Sequence, residues 1–186
     1  MKTKRRLSRP ICVSEKLQFD RLEPRNLLAN DVLPDVFAWE SEDRGYLHDY
    51  IVEGDLLRFT TAFANQGEGH LEVFGGEVTE NGNQEVFQRI YNDEGGYRDR
   101  LAGEFTYHEG HGHIHFDGYA IYNLREIGPA GEVGDIIATG GKISFCLIDI
   151  TRFDPDAGSS NYGGCGTTQG VSAGWSDVYG LSLIHI

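Results

Sequence analysis

Four of the chain's seven histidines lie within ten residues, between Tyr107 and Phe116. Three of them, His111, His113 and His115, alternate strictly, and side chains two residues apart share one face of a β-strand. A single histidine on such a face is usually a hydrogen-bonded core residue, but three would each need a separate partner. The spacing therefore predicts a metal site with three imidazole ligands. Imidazole suits copper, zinc, iron or nickel, and does not suit calcium or magnesium.

The outer two histidines set a condition on this strand. His111 and His115 are four residues apart, which is roughly 13 Å between Cα atoms at about 3.3 Å per residue. Both rings reach one metal only if the strand bends or bulges. Gly110 and Gly112 permit such a distortion, so we expect an irregular strand here.

Two segments further along the chain combine with the histidines: residues 141–147 (GKISFCL) and residues 169–180 (QGVSAGWSDVYG). Together with the histidine strand, and in the same order and at similar intervals, they resemble the catalytic domain of the lysyl oxidase family. Members of this family are copper amine oxidases that act on peptidyl lysine. The resemblance begins near Leu33 and runs to Gly180.

The resemblance implies a role for each histidine of the cluster. His111, His113 and His115 fall on the family's copper ligands. His108 also matches a family histidine, but one that is not a ligand. Copper would serve in making the family's cofactor and in its reoxidation by dioxygen.

The resemblance also implies a built-in organic cofactor. Lys142 and Tyr179 fall on the pair that cross-links to form lysine tyrosylquinone, an electrophile that takes up the substrate amine. The only lysines of the chain are Lys2, Lys4, Lys16 and Lys142, so from residue 17 onward every other cation is arginine. The single remaining lysine lies where the cross-link needs an amine, although an ordinary strand lysine is the alternative.

The activity implied is oxidative deamination of a primary amine, in a lysine-containing protein or a small molecule, to an aldehyde with release of ammonia and hydrogen peroxide. The general base is not identified by the pattern, and Asp177 is only a candidate. One alternative is a non-catalytic metal-binding β-domain of a bacterial surface protein. Another is a zinc hydrolase with three histidines and an open coordination position, which would leave Lys142 and Tyr179 without a role.

Composition favours an all-β fold. The 186 residues include 25 glycines, and short alternating segments separated by turn residues dominate the chain. No apolar run approaches the roughly 18 residues of a membrane span. With the resemblance, these features predict a β-sandwich-like lysyl oxidase catalytic domain with long loops.

Charge divides the chain into two parts. Residues 1–30 hold eight lysines and arginines against three acidic residues, which is a net charge of +5. Because the whole chain has a net charge of −13, the remaining residues carry −13 − 5 = −18. Such an acidic body argues against a nucleic-acid partner. It would attract cationic substrates such as lysine-rich segments, although solubility alone is an equal explanation.

We predict three regions. Residues 1–30 form a basic leader in which residues 19–29 (FDRLEPRNLLA) resemble the LEPRxLL leader of bacterial surface and secreted proteins, so a secreted or cell-surface location is expected. A disordered basic tail is the alternative. Residues 31–180 form the catalytic domain. Residues 181–186 resemble a translated sequencing adapter and are predicted to be a non-native tail, which would leave the domain incomplete at its C-terminus.

Cys146 and Cys165 could pair, closing a loop of about twenty residues worth roughly 3 kcal/mol. The family's animal members have many disulfides here, but the position matching one partner of Cys165 is Gly110. The bridge is therefore not implied by the resemblance, and two free buried thiols are an equal alternative.

The coarse element pattern is as follows. Residues 55–65 alternate, with Phe59, Thr61 and Phe63 on one face, and a second strand follows at Leu71. Much of residues 77–104 is predicted to be loop, with one short strand at 86–91. A further strand is predicted at 119–124 and a turn at 128–131. Lys142, Ser144 and Cys146 alternate along a strand, and residues 154–168 are predicted to form a loop. We expect Asp154 and Asp156 to be solvated loop residues rather than calcium ligands.

Overall fold

A computed structural model describes residues 30–39, 50–110, 112–140 and 143–185. The alternating pattern of residues 55–65 produces β4, Leu56–Asn65, as the sequence predicts. The strand ends in the expected turn, where the side-chain oxygen of Asn65 accepts a hydrogen bond from the backbone N–H of Gly67 at 3.1 Å. β4 becomes the central partner of its sheet because it pairs with β2, β3 and β14.

Strands make up the regular structure of the described residues. In chain order they are β1 Asp31–Val32, β2 Val36–Ala38, β3 Tyr50–Glu53, β4 Leu56–Asn65, β5 Leu71–Val78, β6 Gln84–Asn92, β7 Tyr97–His108, β8 His113–Ala120, β9 Asn123–Ile127, β10 Val133–Thr139, β11 Ile143–Phe145, β12 Thr151–Arg152, β13 Thr168–Val171 and β14 Trp175–His185. No helix occurs in the ranges given above. The prediction of an all-β fold is confirmed.

The strands form three antiparallel sheets. The largest has the order β11-β8-β7-β6-β5-β13, with β1 also paired to β6. The second has the order β12-β14-β4-β2, with β3 also paired to β4, and β9 and β10 form a separate two-stranded sheet. β8 and β11 are neighbours, so the histidine strand lies beside the segment that follows Lys142 in the chain.

The core lies between the two larger sheets. Its buried cluster consists of Val73, Val86, Phe105, Phe145, Leu147 and Val171. Phe63 of β4 and Tyr179 of β14 pack onto this cluster from the opposing sheet. Their ring centroids lie 5.7 and 3.8 Å from that of Phe145. Side chains from both sheets therefore interdigitate, as in a sandwich.

The prediction of loop for most of residues 77–104 is wrong. β6 and β7 pair over nearly their whole length, from Gln84 opposite Phe105 to Tyr91 opposite Tyr97. The polar composition is misleading because only one face of this ribbon is covered, and backbone pairing does not require apolar side chains on the other. Two of its glycines, Gly82 and Gly95, belong to turns, with φ values of +86° and +82°.

The predicted strand at 119–124 is interrupted. β8 ends at Ala120 and β9 begins at Asn123. Between them Tyr122 turns toward β4, where its hydroxyl lies 2.7 Å from Oγ1 of Thr61 and its ring packs edge-on against Phe59. These contacts with the opposing sheet explain why the chain leaves its strand here.

Two loop predictions agree with the structure. The turn at 128–131 is present, with a hydrogen bond from the N–H of Gly131 to the carbonyl of Gly128 at 2.9 Å. Residues 153–167 contain no strand, as expected for the predicted loop at 154–168. At the other end of the described chain, residues 182–185 of β14 pair with residues 56–59 of β4. The predicted region boundaries at residues 30 and 180 stay predictions.

Candidate functional site

The histidine cluster lies on a β-hairpin rather than on one bent strand. His108 ends β7, His113 begins β8, and the two residues lie opposite each other. The N–H of Gly112 donates to the carbonyl of His108 at 2.9 Å, and Gly112 has a φ of +71°, which favours glycine. The chain therefore turns between His108 and His113, and His113 and His115 alternate along β8 as predicted, while the alternation of His111 with them stays a prediction. His111, in the segment that joins the strands, lies outside the described residues.

His113 and His115 point their ring nitrogens at each other. Their Nε2 atoms lie 2.8 Å apart, and His115 is only 6 % exposed. The ring of His108 stacks on that of His115, with centroids 5.2 Å apart and planes 19° apart. The hairpin therefore adds His108 to the face that carries His113 and His115, which strict alternation along a single strand does not predict.

The two convergent nitrogens fit a shared metal ion. Two imidazole nitrogens bound at about 2.0–2.1 Å, and about 90° apart at the metal, would be separated by roughly 2.9 Å. Nδ1 of His115 lies 3.3 Å from Oγ of Ser144. A proton on Nδ1, donated to that oxygen, would leave Nε2 as the lone-pair donor, which is how outer-shell partners orient metal-binding histidines.

The described part of the cluster does not form a complete ligand set by itself. Among the residues described, no group of three histidine, cysteine or acidic side chains is arranged to hold a metal ion. His111, the third predicted ligand, is not among those residues. The three-histidine ligand set therefore stays a prediction, of which two members are seen to converge.

A cavity of about 270 Å³ adjoins the paired histidines. Its lining consists of His113, His115, Cys146, Ile148, Ile150, Cys165, Asp177, Val178 and Tyr179. The structure thus brings two predicted copper ligands and one predicted cofactor residue to the same cavity. Ser144 and the isoleucines are site residues that the sequence did not single out, although alternation along residues 142–146 would have placed Ser144 on the face of Lys142.

Tyr179 is held tightly at the cavity wall. Its hydroxyl donates to the carbonyl oxygen of Cys146 at 2.5 Å, and its ring lies against Phe145. Burial raises the pKa of the Tyr179 phenol, and the nearby carboxyl of Asp177 raises it further. The side chain is therefore a neutral, partly buried phenol with one fixed hydrogen-bond acceptor.

Lys142, the other predicted cofactor residue, lies outside the described residues. The neighbouring segment is described from Ile143, where β11 begins and pairs with β8. Residues of this segment contact both the histidines and the tyrosine of the site, since Ser144 lies near His115 and Phe145 packs on Tyr179.

Asp177 is the one carboxyl among the described residues that line the cavity. It is 2 % exposed, and its oxygens accept hydrogen bonds from the N–H groups of Val178 at 2.8 Å and Ile148 at 3.4 Å. Burial raises its pKa to about 8, against the opposing effect of these two N–H groups. A carboxyl with this pKa exchanges protons near neutral pH, which suits a general base.

Cys146 and Cys165 form a disulfide, with Cα atoms 5.3 Å apart. Of the two alternatives that the sequence left open, the structure has the bridge. Both half-cystines line the cavity, so the bridge fastens the loop before β13 to the wall that accepts the Tyr179 hydrogen bond.

The fold and this site define an all-β domain with two converging imidazoles and a partly buried tyrosine at one cavity. Residues 96–183 match the family described as lysyl oxidase. This match supports an amine-oxidase type of function. No curated protein and no solved structure matches the chain.

The matched residues include the histidine hairpin and residues 141–147 and 169–180, so the family resemblance seen in these segments is confirmed. The part of the resemblance before residue 96 stays a prediction. Across the described ranges, we find no helix with the length and apolar character needed to cross a membrane.

Proposed function

We propose that this protein is a copper-dependent oxidase of primary amines, acting on peptidyl lysine or on small alkylamines. The overall reaction consumes the amine, dioxygen and one water, and yields an aldehyde, ammonia and hydrogen peroxide. The observation that carries the proposal is the 2.8 Å approach of the His113 and His115 Nε2 atoms at a cavity that Tyr179 also lines.

His113 and His115 would hold copper, with His111 as the proposed third ligand. When bound, copper supplies the redox chemistry that converts a tyrosine ring to a quinone with dioxygen. Ser144 would orient His115 through Nδ1, so that Nε2 would be the nitrogen offered to copper. His108 stacks on the His115 ring and restricts its rotation.

Lys142 and Tyr179 would supply the lysine tyrosylquinone cofactor. Support comes from the family match, which spans both residues, and from the position of Tyr179 in the cavity lining. The Cys146 carbonyl fixes the tyrosine hydroxyl, and Phe145 packs on its ring, so the side chain has one defined orientation. The chain's only lysine after residue 16 then provides the amine.

The cavity walls suit an alkylamine. Ile148, Ile150 and Val178 offer apolar surface to a methylene chain, while Asp177 is the acidic group beside them. We propose that Asp177 in its ionised form takes the proton lost from the carbon that bears the substrate nitrogen. The net charge of −18 after residue 30 would favour the approach of lysine-rich protein segments.

We also propose that the protein acts outside the cytoplasm, at the cell surface or after secretion. The Cys146–Cys165 bridge supports this location because such bonds persist mainly in oxidising compartments. The LEPRxLL-like segment falls in residues 1–29, outside the described residues, and remains a sequence-based expectation.

The test uses the full chain loaded with copper(II) in air. Hydrogen peroxide released from an alkylamine is measured by a peroxidase-coupled assay, and quinone by its visible absorbance and a redox-cycling stain. We expect both signals in the parent protein and neither in Tyr179→Phe. A copper-loaded parent that gives neither signal would contradict the enzyme and favour the non-catalytic metal-binding domain.

A further inference from the structure

Gln169 is a fully buried amide in β13, with 0 % of its surface exposed. Its Oε1 accepts a hydrogen bond from the backbone N–H of Leu147 at 3.1 Å. Its Nε2 donates to the carbonyl oxygens of Ile114 and Gly166, each at 3.1 Å. One side chain thus bonds to the backbones of three other segments.

Each of these three backbone partners is adjacent in sequence to a residue of the candidate site. Ile114 lies between His113 and His115, the two converging imidazoles. Leu147 follows Cys146, whose carbonyl accepts the Tyr179 hydrogen bond. Gly166, the third partner, follows Cys165, the other half-cystine of the bridge. Gln169 itself is not among the residues that line the cavity.

Only an amide can make this set of hydrogen bonds. A carboxylate accepts but does not donate, and an apolar side chain of similar size does neither. Because Leu147 and Gln169 are both fully buried, a Leu147 N–H or a Gln169 amide left without its partner would cost a desolvation penalty. The segments would therefore be expected to shift if the amide were changed.

We infer that Gln169 is a positioning residue that sets the backbone of the histidine strand relative to the Tyr179 wall and the disulfide loop. The inference rests on the proposed function, since the histidines matter as ligands only if metal is bound there. Its effect passes through backbone position and not through contact with substrate or metal.

Asn65 provides a matched control. It is also a buried amide with 0 % exposure and is also bonded only to backbone. It accepts from the N–H groups of Asp35 and Gly67 and donates to the carbonyls of Gly69 and Val171. None of these partners lines the cavity.

The variants Gln169→Glu and Asn65→Asp make the same chemical change at the two positions. Each preserves size and acceptor oxygens, removes two N–H donors and adds an ionisable group. A loss common to both variants therefore reports general damage to the fold. A loss confined to Gln169→Glu reports the link to the site.

The first measurement uses the metal-free full chain and the nuclear magnetic resonance signals of the histidine rings. We expect Gln169→Glu to move the His113 and His115 ring signals and to leave His70 in place. Asn65→Asp should do the reverse, because Asn65 bonds to Gly69, next to His70. Equal movement of the His113 and His115 signals in both variants, or none in Gln169→Glu, would overturn the inference.

The second measurement is the dissociation constant for copper(II) alone, determined by competition with a chelator. We expect Gln169→Glu to weaken binding on the order of 10-fold or more, as changes around metal ligands do. Asn65→Asp should change it by less than about twofold. A parent chain that binds no copper would contradict the proposed function, while the ring signals would still decide the role of Gln169.

Should Gln169→Glu fail to fold, the parent protein decides the question. Zinc(II), which leaves the spectrum observable, is added to the isotopically labelled full chain. We expect the side-chain amide signals of Gln169 to shift while those of Asn65 stay unchanged. Unchanged Gln169 signals would overturn the positioning role.

Discussion

The Tyr179 hydroxyl donates a hydrogen bond to the carbonyl oxygen of Cys146, whose own side chain is bonded to Cys165. The covalent link that closes the loop from residue 146 to residue 165 therefore includes the residue that fixes the proposed cofactor tyrosine. Stability of the loop and orientation of the phenol are coupled through one residue. This coupling leads to the first prediction.

Cys165→Ser should destabilise the fold by about 3 kcal/mol, since the bridge spans 19 positions and restricts the unfolded chain. Cys165 is the better position to change because it is only half-buried, whereas Cys146 is buried. Urea unfolding of the parent and the variant measures the difference.

The third cysteine provides the control for this experiment. Cys12→Ser should leave the unfolding midpoint unchanged, and a reducing agent should lower the midpoint of the parent but not that of Cys165→Ser. Equal midpoints for the parent and Cys165→Ser would show that the bridge contributes nothing to stability.

His113→Ala should abolish stable copper binding because it removes one of the two converging nitrogens. The matched control is His185→Ala, since His185 is exposed and lies in β14 away from the cavity lining. Copper content after dialysis, measured by elemental analysis, gives the result. Stoichiometric copper retained by His113→Ala would contradict the metal assignment.

Local sequence pattern predicts the part of the site that depends on alternation. His113 and His115 share a face because both lie in β8, and the alternating residues of β4 also form the expected strand. The pattern does not predict the hairpin, because alternation continues unbroken from His111 to His115 and does not reveal where the turn lies. Gly112 suits a bend or a bulge as well as a turn, and in the structure its positive φ serves a tight turn.

The remaining site depends on contacts between distant segments. Gln169 bonds to Ile114, 55 positions away, and Asp177 bonds to Ile148, 29 positions away. Such contacts follow from strand order and register, which a single sequence does not specify when the intervening loops are long. The sequence does not decide the Cys146–Cys165 pairing for the same reason, because its geometry depends on where the chain returns after residue 146.

Asp177 should make the stability of the fold depend on pH. Its pKa is raised from the ordinary value to about 8, so the folded state holds a proton that the unfolded state releases above about pH 4. The free energy of unfolding should therefore fall as pH rises between about 4 and 8, by up to about 1.4 kcal/mol per pH unit from this group. Denaturant unfolding at several pH values measures this slope.

Asp177→Asn should flatten that slope, because a neutral amide carries no titrating proton. Asp55→Asn, at an exposed position, is the matched control and should follow the parent curve. An Asp177→Asn curve parallel to that of the parent would contradict the raised pKa. If Asp177 is also the base, the variant should oxidise amines about 100-fold more slowly or worse.

The cross-link between Lys142 and Tyr179 gives the most direct prediction about the cofactor. The two residues are 37 positions apart in sequence, so only the fold can bring their side chains together. Lys142→Arg keeps the positive charge but removes the nucleophilic amine, and Tyr179→Phe removes the phenol that is oxidised. Each variant should lose amine oxidation and keep copper, because neither residue is a proposed ligand. Mass spectrometry of the digested, copper-loaded parent should find one peptide pair joined through both residues. If the digest yields only linear peptides while hydrogen peroxide is still produced from amines, the quinone mechanism is wrong for this chain.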